Sequence, residues 1–211
     1  MSTITLFAMP GSCSRVSLIL LEEAKADYHI HWVNLMNGDH KTPEFKQINP
    51  KSKVPALSIA GEVLTENPMI IKYISTQFPE ANLLPKVDTG LAEYQQISDL
   101  CFCSSTIHPL VTRFCIPTFF AEESCATSVK EKALAALHEG LTWVEQRLAE
   151  STWWYGEQWS AMDAYIFWII TRLQRCDFSL ADLPNLAQHT ANMLKRDSVI
   201  RALEKEKLVN Q

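Results

Sequence analysis

The chain has 211 residues, with 19 lysines and arginines against 24 acidic residues and a net charge of -5. No block of lysine or arginine could track a phosphate backbone, so nucleic acid is not expected as a partner. Hydrophobic residues at 47% and charged residues at 20% are the proportions of a folded soluble protein, and no uncharged apolar run approaches the ~18 residues of a membrane span.

Met1 to Met9 has neither the basic start nor the apolar core of a leader, so it reads as the first element of the fold, and the expected location is the cytoplasm. Six cysteines, Cys13, Cys101, Cys103, Cys115, Cys125 and Cys176, form no CxxC pair. Their spacing suits neither a zinc site nor a secreted disulfide framework, so no metal is expected and most of the later five are expected to be buried small hydrophobes.

Ile4 to Ala8 is short, apolar and β-rich, Pro10-Gly11-Ser12 breaks it, and Ser14 to Ala26 places Val16, Ile19, Leu20 and Ala24 at helical spacing. Tyr28 to Asn34 alternates in the period of a strand, completing a β-α-β unit whose crossover requires parallel pairing. Thr42 to Ile48 reads as a short helix and Asn49 to Lys53 as a loop. Ala56 to Ile59 and Val63 to Thr65, joined by Ala60-Gly61-Glu62, predict an antiparallel hairpin. Asn67 is placed to cap a helix with Pro68 at its first position and Ile70, Ile71, Ile74 and Phe78 on its apolar stripe. The order β-α-β-α-β-β-α is then complete.

Pro79 to Pro85 carries helix breakers at both ends and reads as a linker. From Asp88 strands disappear, and helical patterns run over about Leu91 to Phe114, Ser128 to Ala149, Met162 to Arg175, Asn185 to Arg196 and Ser198 to Glu206. Pro109 is predicted to end or kink the first of these. The expected division is residues 1–79, a linker at 80–87, and an all-helical domain at 88–211, an α+β chain overall.

Val54-Pro55 stands at the mouth of a strand, where a proline is often cis and the residue before it offers its backbone to an extended peptide. Around it, Asn49-Pro50-Lys51-Ser52-Lys53-Val54-Pro55-Ala56-Leu57 and Leu64-Thr65-Glu66-Asn67-Pro68-Met69-Ile70-Ile71-Lys72-Tyr73-Ile74 resemble the cytosolic glutathione transferase family. The resemblance implies a thioredoxin-like first half that binds glutathione as co-substrate and a helical second half. It places the cysteinyl backbone of glutathione on Val54, before Pro55, and the γ-glutamyl end at Glu66 and Asn67, with Asn67 departing from the usual serine. A carboxylate suits the γ-glutamyl ammonium, and a helix N-terminus suits its carboxylate. Lys53 and His40 stand where the family supplies cations to the glycyl carboxylate, His40 within a stretch similar to theta- and delta-like classes.

Pro10-Gly11-Ser12-Cys13-Ser14 is similar to the Pro-Gly-Ala-Cys-Ser signature of the bacterial beta class, which makes Cys13 the first candidate for the sulfur-facing residue. Ser12 answers to the hydroxyl of delta-like enzymes, and Ser14 is a third candidate. A helix N-terminus beside Cys13 is expected to lower its thiol pKa. Ser160 and Asp163, within Trp159 to Tyr165, resemble the family's capping motif and are expected to be structural. His108 resembles a beta-class active-site histidine or is a helix-end residue. Phe102, Ile107, Phe114 and Trp168 line an acceptor pocket or belong to the core.

The implied activity is transfer of the glutathione thiolate to a hydrophobic small-molecule electrophile, a detoxification chemistry. Two alternatives stand beside it: a thiol-disulfide reductase or peroxidase acting through Cys13, and a non-catalytic binding or regulatory protein. A homodimer is expected, with the face from Leu91 to Phe102 available for packing, and neither nucleic acid nor membrane is an expected partner.

Overall fold

The computed structural model describes residues 3–87 and 90–210. The chain folds as two compact units, one running to Leu83 and resuming at Lys195, the other spanning Leu84–Leu194.

The first unit carries β1 (Ile4–Ala8), α1 (Ser14–Glu23), β2 (Tyr28–Trp32), α2 (Pro43–Ile48), β3 (Ala56–Ile59), β4 (Glu62–Thr65) and α3 (Asn67–Gln77). The sheet order is β2-β1-β3-β4. β1 and β2 are parallel, with Ile4 opposite Tyr28, while β1 pairs β3 and β3 pairs β4 antiparallel. This is the thioredoxin-like arrangement expected of the first half. Residues of α1 and α3, among them Val16, Ile19, Leu20, Ile70, Ile71 and Ile74, are fully buried, because their spacing gives each helix one continuous apolar face. Phe7, Val33, Phe45, Val54 and Ala56 form a further cluster that seats α2 and the strand carrying the proposed peptide edge. The β3–β4 turn is only Ala60-Gly61, both at positive φ (52° and 92°), so β4 starts one residue before the predicted Val63. That backbone matches the twist of a two-residue hairpin.

The second unit holds α4 (Leu91–Cys101), α5 (His108–Cys115), α6 (Glu123–Leu148), α7 (Ala161–Gln174) and α8 (Pro184–Met193). Pro109 does not end the first helix. The chain passes from α4 to α5 through a π-helical stretch, Phe102–Ile107. A proline returns no N–H to the carbonyl four residues back and crowds it, and a wider turn relieves both. α7 is buried along most of its length, and its N-terminal donors are satisfied locally: the Asp163 carboxylate accepts from the Ser160 N–H and hydroxyl, each at 2.8 Å. The other Asp163 oxygen takes the Trp154 N–H at 2.8 Å and faces His189 Nε2 at 3.0 Å.

Two expectations need correction. The last helix, α9 (Asp197–Lys207), expected in the helical half, groups with the first unit, where it packs on α1. Arg15 meets Glu206 at 2.6 Å with both side chains buried, Arg196 meets Glu23 at 2.6 Å, and Arg201 and Lys205 converge on Glu22. Periodicity identifies a helix but not the surface it covers. Second, the later cysteines are not mostly buried hydrophobes. Cys115 and Cys176 form a disulfide across 61 residues of sequence, Cys103 alone is buried and free, and Cys101 and Cys125 are exposed. The bond joins the end of α5 to the segment after α7, a proximity that sequence spacing does not reveal.

Candidate active site

β1 ends at Ala8, and the chain turns through Met9–Cys13 before α1 begins. Gly11 takes φ 74°, and the Ser12 N–H closes the turn on the Met9 carbonyl at 3.1 Å. Both serine hydroxyls are spent on this turn. Ser12 Oγ donates to Met9 O at 2.9 Å and lies 2.7 Å from Ser14 Oγ. Ser14 Oγ accepts the Met9 N–H at 3.0 Å, donates to Met9 O at 3.1 Å, and is part of a residue only 1% exposed.

Cys13 follows as a partly buried residue whose sulfur is turned toward the Val54 loop. It occupies the N-cap of α1 without a side-chain cap bond, and its Sγ donates to the Val54 carbonyl at 3.4 Å across 41 residues. The pKa expectation is reversed here. Burial of the sulfur pushes the Cys13 thiol up to about 12; a hydrogen bond with its own backbone N–H pulls it down, Glu66 adds to the rise and Lys53 opposes it. Desolvation outweighs the helix end because the thiolate, not the thiol, bears its cost.

The opposite wall is the Asn49–Val54 loop. Asn49 is 1% exposed and folds the loop from within: its Nδ2 donates to Lys53 O at 2.8 Å and its Oδ1 accepts the Lys51 N–H at 3.0 Å. The Val54-Pro55 peptide is cis, and both residues are buried. Lys53 is exposed. Lys51, which the motif reading did not single out, reaches across to Glu66 Oε1 and Thr65 Oγ1, each at 2.8 Å. No spacing rule marks it, because the loop decides where its side chain goes.

Glu66 takes φ 71°, and its carbonyl accepts the N–H groups of Met69 and Ile70 at 3.1 and 3.0 Å, so Glu66 rather than Asn67 is the N-cap of α3. Pro68 contributes no N–H. The Asn67 carboxamide turns inward, its Nδ2 on Cys13 O at 3.0 Å and its Oδ1 under the Ser17 hydroxyl at 2.9 Å. Sequence alone does not find Ser17, which sits mid-stripe on α1.

Cys13, Val54, Glu66 and Asn67 are thus brought together within one unit, with Lys53 close enough to act on the Cys13 thiol. His40 lies on the short turn Asp39–Lys41, partly buried, with Nδ1 enclosed and lacking a hydrogen-bond partner. His108 opens α5 in the second unit, its ring 4.4 Å from that of Trp168 and its Nδ1 3.4 Å from the Tyr165 hydroxyl. Ile107, Phe114 and Trp168 are core residues, and Phe102 packs edge-on against Trp143 at 4.9 Å.

Residues 2–76 match the family of glutathione S-transferase N-terminal domains, and residues 127–192 that of the C-terminal domains. Glutathione S-transferase GstA of Escherichia coli O157:H7 is 30% identical over 209 residues, covering 96% of this chain and 98% of that one. Among solved structures, a sphingomonad glutathione S-transferase complexed with glutathione superposes with a TM-score of 0.85 at 31% identity, covering 97% and 99% of the two chains. A Sulfitobacter glutathione transferase homolog with bound glutathione gives 0.87 at 26% identity over the same shares. With the sheet order and the Cys13–Val54–Glu66 grouping already in place, these matches along almost the whole length establish that the chain belongs to the glutathione S-transferase family.

Proposed function

We propose that glutathione lies extended along the first unit and that its thiolate is transferred to a hydrophobic electrophile, with Cys13 as the donor that stabilises that thiolate. The γ-glutamyl ammonium is assigned to Glu66 and its carboxylate to the Asn67 N–H at the positive end of α3. The cysteinyl backbone pairs with Val54, before Pro55, and the glycyl carboxylate lies near Lys53 and His40, whose enclosed Nδ1 lacks a partner.

The observation that carries this reading is the 3.4 Å contact between Cys13 Sγ and Val54 O. It puts a thiol donor and a peptide-binding carbonyl at one point. When the cysteinyl N–H of glutathione takes that carbonyl, the Cys13 S–H is released toward the incoming sulfur. With its pKa pushed up to about 12, Cys13 remains protonated at neutral pH and serves as a hydrogen-bond donor, not as a nucleophile. The glutathione thiol proton passes to solvent, and the thiolate it leaves forms the new carbon–sulfur bond as the leaving group departs. Thiol-disulfide chemistry through Cys13 requires its thiolate, which burial opposes.

Cys13→Ser keeps a donor and is expected to retain conjugation, whereas Cys13→Ala lowers kcat about tenfold or more, as loss of one stabilising donor does. Equal, complete loss in both variants, together with disulfide-reductase turnover in the wild type, would transfer the role to a nucleophilic thiolate. Absence of turnover against both electrophiles and mixed disulfides would leave the non-catalytic reading. The same proposal includes a cytoplasmic homodimer engaged in detoxification. Among the described residues, no helix is long and apolar enough to cross a membrane.

A further inference from the structure

Asn67 opens α3 beside Glu66, yet its carboxamide faces the interior. The residue is 4% exposed, and its two bonds reach Cys13 O and Ser17 Oγ, 54 and 50 residues away in sequence. Cys13 and Ser17 stand one turn apart on α1, so a single planar amide grips both ends of the turn that presents the thiol. The asparagine amide offers a donor and an acceptor on separate atoms, one for each partner, where the serine that the family resemblance implies would have a single hydroxyl oxygen.

We infer that Asn67 is a positioning residue for Cys13: through its side chain it holds α1, through its backbone it begins α3, and it thereby fixes the Cys13 sulfur relative to Glu66. The inference rests on the proposed placement of glutathione. A tripeptide anchored on Glu66 delivers its sulfur at a set distance, and the donor has to stand where that sulfur arrives. Removing the amide unties the first turn of α1 from α3 and leaves the Ser17 hydroxyl without its buried acceptor, while the Cys13 carbonyl keeps the Val16 N–H at 3.2 Å. A misplacement of about 1 Å between donor and sulfur is enough to cost up to about a hundredfold in rate. The contacts proposed for the γ-glutamyl end use the Glu66 carboxylate and the Asn67 N–H, and both survive a change of the Asn67 side chain.

The test compares Asn67→Ala and Asn67→Asp with the wild type. Aspartate keeps the shape and the acceptor for Ser17, replaces the donor to Cys13 by a carboxylate oxygen and adds a negative charge there, so it carries the comparison if the alanine variant does not fold. Three quantities are read: the glutathione Kd by calorimetry, kcat with an activated aryl chloride at saturating glutathione, and the rate of Cys13 alkylation by iodoacetamide, followed on the Cys13 peptide by mass spectrometry. The expected result is a Kd within about threefold of wild type with kcat lower by about tenfold to a hundredfold. Alkylation is expected to slow by about threefold or more in Asn67→Asp, since a carboxylate beside the Cys13 carbonyl opposes the thiolate. A Kd weakened about tenfold with kcat unchanged would make the amide a ligand of glutathione and overturn the inference, as would three unchanged quantities. If the wild type does not bind glutathione, its placement on Glu66 fails, while the alkylation rates, which need no glutathione, still decide the role of Asn67.

Discussion

At the scale of single residues, the proposed site sets two cations against one carboxylate. Lys51 holds Glu66 in the structure, with half-exposed side chains at 49% and 61%, an arrangement worth at most about 1 kcal/mol in solvent. In the proposed placement the ammonium of glutathione shares that carboxylate with Lys51, so the two compete. Glu66→Ala is expected to weaken glutathione binding by more than about 1 kcal/mol, because an ammonium is left unpaired in a partly enclosed place. Lys51→Met, in contrast, is expected to strengthen binding by less than about 1 kcal/mol. Calorimetry on both variants checks the assignment: unchanged affinity in Glu66→Ala removes the anchor, and weaker binding in Lys51→Met turns Lys51 from competitor into ligand. The sequence motif foresaw the cis Val54-Pro55 peptide, because the proline itself and its place at the mouth of a strand are legible in the sequence. It did not foresee the inward turn of Asn67 or the reach of Lys51, because side-chain direction depends on partners some 15 to 54 residues away.

At the scale of elements, the first unit is closed by α9 against α1, and charge does much of the joining. Glu22 is almost fully buried, accepts from Arg201 Nε at 2.8 Å, and is also held by Lys205 and the Tyr28 hydroxyl. Burial works to raise the Glu22 pKa, but the bonds from Lys205, Tyr28 and Arg201 outweigh it and hold the carboxyl below its ordinary value. A carboxylate depressed in the folded state contributes stability that is present above its unfolded pKa of about 4.3 and is lost as pH falls through the folded value. The wild type is therefore expected to lose thermal stability steeply below about pH 4.3, and Glu22→Gln to show a lower Tm at pH 7 with a flatter acid limb. Parallel limbs in the two proteins would show that the α1–α9 contact does not depend on this charge. Helix α9 was legible in the sequence from its own periodicity. Its partner was not, since the charged residues that select α1 lie about 175 to 190 positions away and leave no periodic trace.

At the scale of the whole molecule, the proposed homodimer is argued from what α4 leaves uncovered. Leu91 and Tyr94 are 82% and 71% exposed on one helix, three residues apart and so on the same face. Scattered apolar residues are ordinary on a surface, but an aliphatic and an aromatic side chain side by side on one stripe are what a self-complementary two-fold interface uses. In such an interface the patch faces its own copy, with one residue meeting another and the reverse, so like charges placed at both positions oppose each other in the dimer and stay solvated in the monomer. The wild type is expected to run at the mass of two chains, about 48 kDa from a chain of 24.0 kDa, at micromolar concentration. Leu91→Glu with Tyr94→Glu is expected to shift it to the monomer while each chain keeps its fold. Light scattering coupled to size exclusion, with circular dichroism on the same samples, reads both quantities. A monomeric wild type removes the homodimer from the proposal, and a dimer that survives both substitutions moves the interface away from this face of α4.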